Sequence, residues 1–206
     1  MAEAAKVMSE AMDVVTGAMK QREEFFRTFE PKSEAEQKEL ETLREMYPPP
    51  GTGPLGGDLI RVRAIEAPEV LNEAYHYASP ASFSRGLRVD MLGITFLYIS
   101  GTASVNEEGK SVYGGDFRAQ TWRTFRNITT LLKAEGATWH DLVRTTCYLR
   151  DIERDYQDFN EIRTQFYREM GLDPLPASTG IQARLCREDL LVEIEAFAFI
   201  PNGSKG

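Results

Sequence analysis

The chain has few of the residues from which metal sites and disulfide frameworks are built. Its 206 residues include two cysteines, Cys147 and Cys186, and two histidines, His76 and His140. None of the four lies in a sequence cluster with the ligand spacing of a zinc site. So few thiols in a chain of this length are typical of reduced proteins, not of disulfide-stabilised ones. We therefore expect a cytoplasmic protein with no metal and no cofactor.

Excess basic charge and long apolar runs are lacking as well. The 24 lysines and arginines are outnumbered by 32 aspartates and glutamates, which gives a net charge of -8. Non-specific binding to nucleic acid needs a basic surface. No apolar run reaches the roughly 18 residues of a membrane span. The first residues also lack the basic and apolar regions of a signal peptide. We expect a soluble protein with no nucleic-acid partner and no membrane partner.

Residues 1–47 have a helical pattern that differs from the rest of the chain. Alanines recur there every seven residues, and Pro31 is expected to end a first helix. Ser33 and Glu36 have the spacing of a capping box for a second helix, which ends before Pro48. The pattern predicts an N-terminal helical extension that packs on the main domain and borders its cleft. An oligomer contact is the alternative.

The rest of the chain is predicted to form a linker with one strand over residues 48–78 and a domain over residues 79–201. The strand of the first part is Leu59–Ile65, which alternates apolar and charged residues. The elements predicted for the domain are strands at 85–89 and 95–100, a helix from Asp116 to Glu135, a strand at 143–149, a helix from Asp155 to Gly171, and strands at 179–185 and 190–200. This order favours an α+β fold with two helices on one face of a mixed sheet.

The last predicted strand places carboxylates among apolar residues. Side chains alternate faces along a strand, so Val192, Ile194 and Ala196 share one face. Glu193 and Glu195 lie on the other face. An ionised carboxylate in a half-buried strand is costly unless it is paired or exposed. Either this face is solvated, or it carries a functional carboxylate.

Several segments, taken in order along the chain, resemble the RidA/YjgF superfamily. They are Ile99–Ala103, Gln120, Asn127–Ile128, Glu135–Ala137, Asp141–Thr146, Phe159–Asn160 and Val192–Ala196. The resemblance runs from about Pro80 to Pro201. It implies the chorismate-mutase-like α+β domain of that superfamily and a homotrimer whose clefts lie between subunits.

The resemblance also implies a catalytic chemistry. Small deaminases of the superfamily hydrolyse reactive enamines and imines, with a strand glutamate that positions water and an arginine that holds the substrate carboxylate. The glutamate matches Glu193. Ser178 stands where the arginine is expected, and Phe83 stands where those enzymes carry a tyrosine. A serine cannot replace a bidentate guanidinium, so these departures weaken the case for typical 2-iminopropanoate deaminase activity.

Glu193 is the candidate catalytic residue. Desolvation in a cleft and the neighbouring Glu195 are expected to raise its pKa, so that it can act as an acid or base near neutral pH. The candidate substrate-binding residues are Phe83, Arg85, Ser178, Thr179, Gly180 and Gln182. Arg85 either supplies the positive charge that Ser178 lacks or is a solvated charge at the edge of a strand.

Three functions follow as hypotheses. The first is a hydrolase that acts on a small enamine, imine or enol-ether metabolite. The second is a catalytically silent ligand-binding or assembly protein of the same fold. The third is a chorismatase-like enzyme, because Ser82–Arg85 and Ser178–Ile181 resemble the second half of chorismatases. RNA cleavage, an older label of the superfamily, is disfavoured by the acidic charge.

Overall fold

The computed structural model describes residues 20, 24, 30–46, 59–68, 70–78 and 80–201. The chain divides into two compact units, residues 1–54 and residues 55–206. The first predicted helix of the N-terminal extension lies largely outside the described residues, and so do the residues at Pro48 where the second helix is expected to end. The docking of this extension therefore stays a prediction.

The described helix of the first unit is α1, Glu34–Met46. It begins after Ser33, as the sequence predicts, and the Ser33 hydroxyl accepts a hydrogen bond from the Glu36 backbone amide at 3.2 Å. The Glu36 carboxylate accepts from the backbone amide of Lys32 instead of that of Ser33, at 2.6 Å. The capping interaction is thus formed, with its return bond one residue earlier than in a standard box.

The second unit contains one mixed sheet, in which the described residues form six strands. The strands are β1 (Ile60–Ala64), β2 (Gly86–Met91), β3 (Ile94–Ala103), β4 (Leu142–Leu149), β5 (Ala177–Gln182) and β6 (Val192–Pro201). Their order across the sheet is β1-β2-β3-β6-β4-β5. The β4–β5 pair is parallel, and the other neighbours are antiparallel. The first strand, whose partner the sequence does not indicate, pairs with β2.

The second unit also contains two long helices, α2 between β3 and β4 and α3 between β4 and β5. Helix α2 (Phe117–Ala134) begins at Asp116, whose side chain accepts from the Ala119 amide, and it ends before Gly136, which has a φ of 71°. Helix α3 spans Ile152–Glu169. Short 3-10 helices lie at Ala74–His76 and Trp139–Asp141. The predicted α+β fold is confirmed.

The predicted start of α3 at Asp155 is wrong. The helix begins at Asp151, whose carboxylate accepts from the Arg154 backbone amide three residues later. Asp155 lies inside the helix, 3% exposed, and accepts two hydrogen bonds of 2.6 Å from the Arg154 guanidinium. Both aspartates suit a helix start in sequence, and only Asp151 has the geometry of the cap.

The two faces of the sheet differ in what covers them. Val192, Ile194, Ala196 and Ala198 are at most 1% exposed, and they belong to the core that includes buried residues of α2 and α3. Within the described part of the chain, the opposite face has no such helical cover. It carries Glu193 and Glu195 at one end of β6 and the aromatic pairs Phe96–Phe199 and Tyr98–Phe197 at the other. The alternation predicted for β6 is therefore present.

An ionic network ties the first two strands to the end of α2. The Glu135 side chain is 2% exposed, and its Oε2 lies 2.5 Å from Arg63 Nη2 and 3.1 Å from Arg88 Nη1. Arg88 also pairs with Asp90 at 2.9 Å. A buried carboxylate is stable only when its charge is compensated, and here two guanidiniums provide that compensation.

None of the helices in the described ranges is long and apolar enough to cross a membrane.

Candidate active site

A cavity of about 950 Å³ lies at the Glu193 end of the uncovered sheet face. Its lining comes from β3 and β6, from the segment that precedes β2, and from two loops, residues 104–116 and residues 183–191. The cavity joins parts of the chain that are distant in sequence.

Glu193 lies on the floor of the cavity, packed against the backbone of β3. The pairing of β3 with β6 shifts register between Ile99 and Thr102, which is a β-bulge. Inside this bulge, a Cβ added to Gly101 would lie 2.1 Å from Glu193 Oε1. Only glycine leaves room for the carboxylate in this position, so Gly101 determines where the acid sits.

Burial raises the pKa of Glu193, the nearby charge of Arg85 opposes this rise, and the charge of Glu195 adds to it. The net effect is a pKa above the ordinary value of a glutamate. A carboxyl group of this kind retains its proton closer to neutral pH, where it can donate it to a reacting atom.

Glu195 connects this acid to Tyr148 on the neighbouring strand. Tyr148 lies opposite Glu193 in the β4–β6 register. Burial raises the pKa of the Tyr148 hydroxyl, and the charge of Glu195 and a hydrogen bond with it raise that pKa further. The charge of Glu195 therefore acts on both the Glu193 carboxyl group and the Tyr148 hydroxyl.

We expect Glu195→Gln to lower the pKa of Glu193, because it removes a negative charge that disfavours ionisation of its neighbour. The measurement is a carboxyl ¹³C NMR titration of Glu193 in the variant and in the unmodified protein. Glu161→Gln, an exposed change on α3, is the matched control and should leave the titration unchanged. An unchanged or raised pKa in Glu195→Gln would contradict the coupling.

Arg85 is buried in the wall of the cavity, with 7% of its surface exposed. Its Nε donates to the Asn72 carbonyl at 3.1 Å. Its guanidinium carbon lies 4.9 Å from the ring centre of Tyr77 and 5.0 Å from that of Phe83. Cation–π contacts with both rings hold the charge in place. Arg85 is therefore not a solvated charge at a strand edge.

Gln120 ties the two loops over the cavity to each other. Its side chain is fully buried, and its Nε2 donates to the carbonyls of Tyr113 at 3.1 Å and Asp189 at 2.7 Å. Its Oε1 accepts from the Leu191 amide at 2.8 Å. Arg150, the residue directly after β4, supports the second loop and donates to the carbonyl of Leu190 at 2.6 Å. The sequence indicates Gln120 only through the family resemblance and gives no signal for the role of Arg150.

Tyr77 and Arg187 both contact Gly109 in the cavity wall, at the loop of residues 104–116. Gly109 has a φ of 76°, and a Cβ there would lie 2.4 Å from the Tyr77 ring. The Tyr77 hydroxyl donates to the Asn72 carbonyl at 2.7 Å. Arg187 donates from its Nη1 to the Gly109 carbonyl. Tyr77, Gly109 and Arg187 line the cavity, and no sequence pattern indicates them.

The single chain brings some of the predicted site residues together and not others. Phe83, Arg85 and Glu193 line the cavity. The remaining candidates lie on β5, an edge strand that β4 separates from β6. They are Ser178, Thr179, Gly180 and Gln182.

The polar β5 candidates have partners on neighbouring elements. Ser178 Oγ accepts from Thr145 at 3.0 Å and from Arg163 at 3.1 Å. Thr179 accepts from Arg144 at 3.0 Å. Gln182 Oε1 accepts from the Ile152 amide at 3.1 Å. Within one chain these groups hold β5 to β4 and α3, and they do not reach the cavity.

No group of three or more histidine, cysteine, aspartate or glutamate side chains that could hold a metal ion occurs among the residues the structure describes.

Known proteins share both the sequence pattern and the fold. A RutC family protein of Pyrococcus abyssi is 30% identical over 104 residues, which are 50% of this chain and 78% of that protein. The putative regulator AldR of Lactococcus lactis is 29% identical over 102 residues, 50% of this chain and 77% of AldR.

Solved structures of similar fold include a Rid family protein of unknown function, YyfA of Yersinia pestis. It is 25% identical with a TM-score of 0.56, and the match covers 68% of this chain and all of YyfA. The YjgF gene product of E. coli is 24% identical with a TM-score of 0.53, over 66% of this chain and 97% of YjgF.

The fold and the sequence pattern place the chain in the RidA/YjgF superfamily. The family profile described as Endoribonuclease L-PSP matches residues 75–200, and the chain belongs to that family.

Proposed function

We propose that this protein is a hydrolase that acts on a small enamine, imine or enol-ether metabolite in the cavity beside Glu193. One observation carries the proposal: a glutamate with a raised pKa shares a cavity with a buried arginine. The arginine suits a carboxylate on the substrate, and the glutamate suits proton transfer to its reacting carbon.

For an enamine, the reaction proceeds in three steps. The protonated Glu193 donates its proton to the nucleophilic carbon, which converts the enamine to an iminium ion. Water then adds to the iminium carbon, and the Glu193 carboxylate accepts a proton from that water. The resulting tetrahedral adduct releases ammonia and leaves a carbonyl product, so the reaction consumes one water per turnover.

Arg85 is the proposed partner of the substrate carboxylate. The two aromatic rings that contact it limit its rotamers before the substrate arrives. In this protein Arg85 supplies the positive charge that an arginine on β5 is expected to supply in the related deaminases.

We also propose a homotrimer with the cavity completed at a subunit boundary. On the uncovered sheet face Ile94, Tyr98 and Phe199 are 47%, 42% and 43% exposed, which is the kind of apolar surface that subunits cover. All six residues of β5 are exposed as well. A neighbouring copy would then bring Ser178 and Thr179 of its β5 to the cavity as neutral hydrogen-bond donors.

The test of the proposed function is a turnover assay with the purified protein. The panel contains 2-aminoacrylate and its longer homologue, generated in the cuvette, together with chorismate as an enol ether. We expect release of ammonia or pyruvate above the uncatalysed rate with at least one compound.

Light scattering on the same sample tests the proposed trimer. It should give the molar mass of three chains, and Phe199→Lys should lower that mass.

Two outcomes would overturn the proposal. A protein that binds these compounds and converts none of them is a ligand-binding protein, a role that the absent β5 arginine also favours. Salt-sensitive cleavage of RNA by the pure protein would instead support the activity in the family's description.

A further inference from the structure

We infer that the cavity binds a ligand with two carboxylate groups, one held by Arg85 and the other by Arg187. This inference rests on the proposed function, because it assigns the ligand to the same cavity. It goes further in naming a second anion-binding residue and a class of ligand.

The first half of the site is Arg85. Only 7% of this residue is exposed, and its Nε donates to a neutral carbonyl, that of Asn72. Among the described residues no carboxylate oxygen lies within 4.0 Å of its guanidinium nitrogens, so no ion pair neutralises it. The buried Glu73 carboxylate accepts a hydrogen bond of 3.3 Å from the Arg85 backbone amide, and the Arg85 charge also acts on Glu193. Neither carboxylate is within ion-pair distance of the guanidinium, so an anionic ligand in the cavity can pair with it directly.

The second half is Arg187, from the loop between β5 and β6. Its side chain hydrogen-bonds only to neutral groups among the described residues, the Gly109 carbonyl and, at 3.4 Å, the Ser111 hydroxyl. Arg150 holds the backbone carbonyl of Arg187 from behind. The half-buried guanidinium therefore lines the cavity wall with two neutral hydrogen-bond partners, and it has no carboxylate within ion-pair distance among the described residues.

Other charged groups of the wall are already engaged. Lys110 pairs with Glu108 at 2.8 Å. Asp189 accepts a hydrogen bond of 3.0 Å from Ser111, the hydroxyl that Arg187 also contacts, so this carboxylate lies near Arg187 without an ion pair to it. Glu193, the acid on the floor, is the group whose burial favours the protonated form. The two arginines thus remain as the cationic groups available to a ligand in the described wall.

Tyr77 links the two arginines. Its ring contacts the Arg85 guanidinium and the backbone of Gly109, whose carbonyl binds Arg187. Burial raises the pKa of Tyr77, and the charges of Arg85 and Arg187 both oppose this rise. Both guanidiniums therefore lie within electrostatic reach of the same hydroxyl.

Arg85 and Arg187 lie on separate elements and each is held by its own carbonyl partner, so we assign one carboxylate to each; a single phosphate that bridges both is the alternative that the test must separate. Each guanidinium offers a fork of N–H donors that matches one carboxylate. The ligand class is then a small dicarboxylic acid whose reactive enamine, imine or enol-ether carbon lies near Glu193.

The test is isothermal titration calorimetry of the full-length protein with unreactive probes. Malonate, succinate and glutarate are compared with acetate, propanoate and butanoate, and inorganic phosphate forms a separate arm. We expect at least one dicarboxylate to bind about 10-fold tighter than its monocarboxylate counterpart, the effect of one added charge-assisted contact.

Variants assign the two contacts. Arg187→Gln should reduce dicarboxylate binding to the monocarboxylate level and leave monocarboxylate binding unchanged. Arg85→Gln should weaken both. Arg184→Gln, an exposed change in the same loop, is the matched control and should preserve the selectivity. Gly109→Ala, which displaces Tyr77, should reduce the selectivity without removing either arginine. Melting curves confirm that each variant is folded.

Three results would overturn the inference: equal binding of mono- and dicarboxylates, unchanged selectivity in Arg187→Gln, or phosphate binding tighter than any dicarboxylate. The probes are unreactive, so these results are separate from turnover. An active hydrolase that binds monocarboxylates alone would refute the dicarboxylate site and leave the proposed function standing. Selective dicarboxylate binding by a protein without hydrolytic activity would do the reverse.

Discussion

Glu193→Gln is expected to lower the turnover number by about 10²- to 10⁴-fold, the usual effect of removing a general acid–base group. The amide has nearly the same shape as the carboxyl group and cannot transfer the proton. Substrate binding should change little, because Arg85 is unaltered. Initial rates of ammonia release over a range of substrate concentrations separate these two effects.

Gly101→Ala is the companion variant. It keeps the Glu193 carboxyl group and displaces it from its position in the cavity, since the new Cβ would lie 2.1 Å from Oε1. Its turnover should fall as well, although Glu193 is intact. Glu169→Gln, an exposed change at the end of α3, serves as the control. Full activity in Glu193→Gln would rule out the assigned role.

The raised pKa of Glu193 also predicts how both activity and stability depend on pH. Activity that needs the protonated acid falls as pH rises through that pKa. A carboxyl group with a raised pKa in the folded state favours folding at low pH, and this contribution is lost as pH rises from the unfolded pKa through the folded one. Glu193→Gln should therefore be more stable than the unmodified protein at pH 8, with a smaller difference at pH 4. Urea unfolding at both pH values measures this, and a less stable variant at pH 8 would contradict it.

Glu135→Gln is expected to lower the free energy of unfolding by about 3 kcal/mol, because removal of one partner breaks a buried ionic network. The carboxylate of Glu135 is 2% exposed and compensates both Arg63 and Arg88. Its loss leaves Arg88, whose side chain is 16% exposed, with Asp90 as its remaining acidic partner. Urea denaturation at neutral pH gives the difference.

The matched control for this change is Glu161→Gln on α3. Glu161 is 64% exposed and pairs with Arg118 at 3.2 Å. An exposed pair of this kind contributes at most about 1 kcal/mol. Equal effects of the two substitutions would show that burial of the Glu135 network adds nothing to stability.

Local patterns are sufficient to predict much of this fold. The alternation of β6 predicts which face Glu193 occupies, and Asp116 and Gly136 mark the ends of α2, because each signal depends on neighbours within a few residues. The choice between Asp151 and Asp155 fails for the same reason. Both aspartates satisfy the local rule for a helix start, and that rule does not include the tertiary packing in which Asp155 is buried.

The cavity depends on contacts between distant residues. Gln120 and Leu191 are 71 positions apart, and Arg187 and Gly109 are 78 apart. No spacing rule reports such pairs. The β5 candidates come from the family resemblance, which expects a cleft between subunits; within one chain β4 separates β5 from β6, so their contact with the Glu193 cavity stays a prediction about the assembly.

The single amide of Gln120 has a thermodynamic consequence for ligand binding. It anchors both loops over the cavity to one fully buried side chain of α2, so opening of either loop breaks a buried hydrogen bond. Both loops are then expected to be held closed, and the backbone amide of Leu191 should exchange its hydrogen slowly. A ligand that enters such a cavity meets walls that are already ordered, so little of its binding energy is spent on loop entropy.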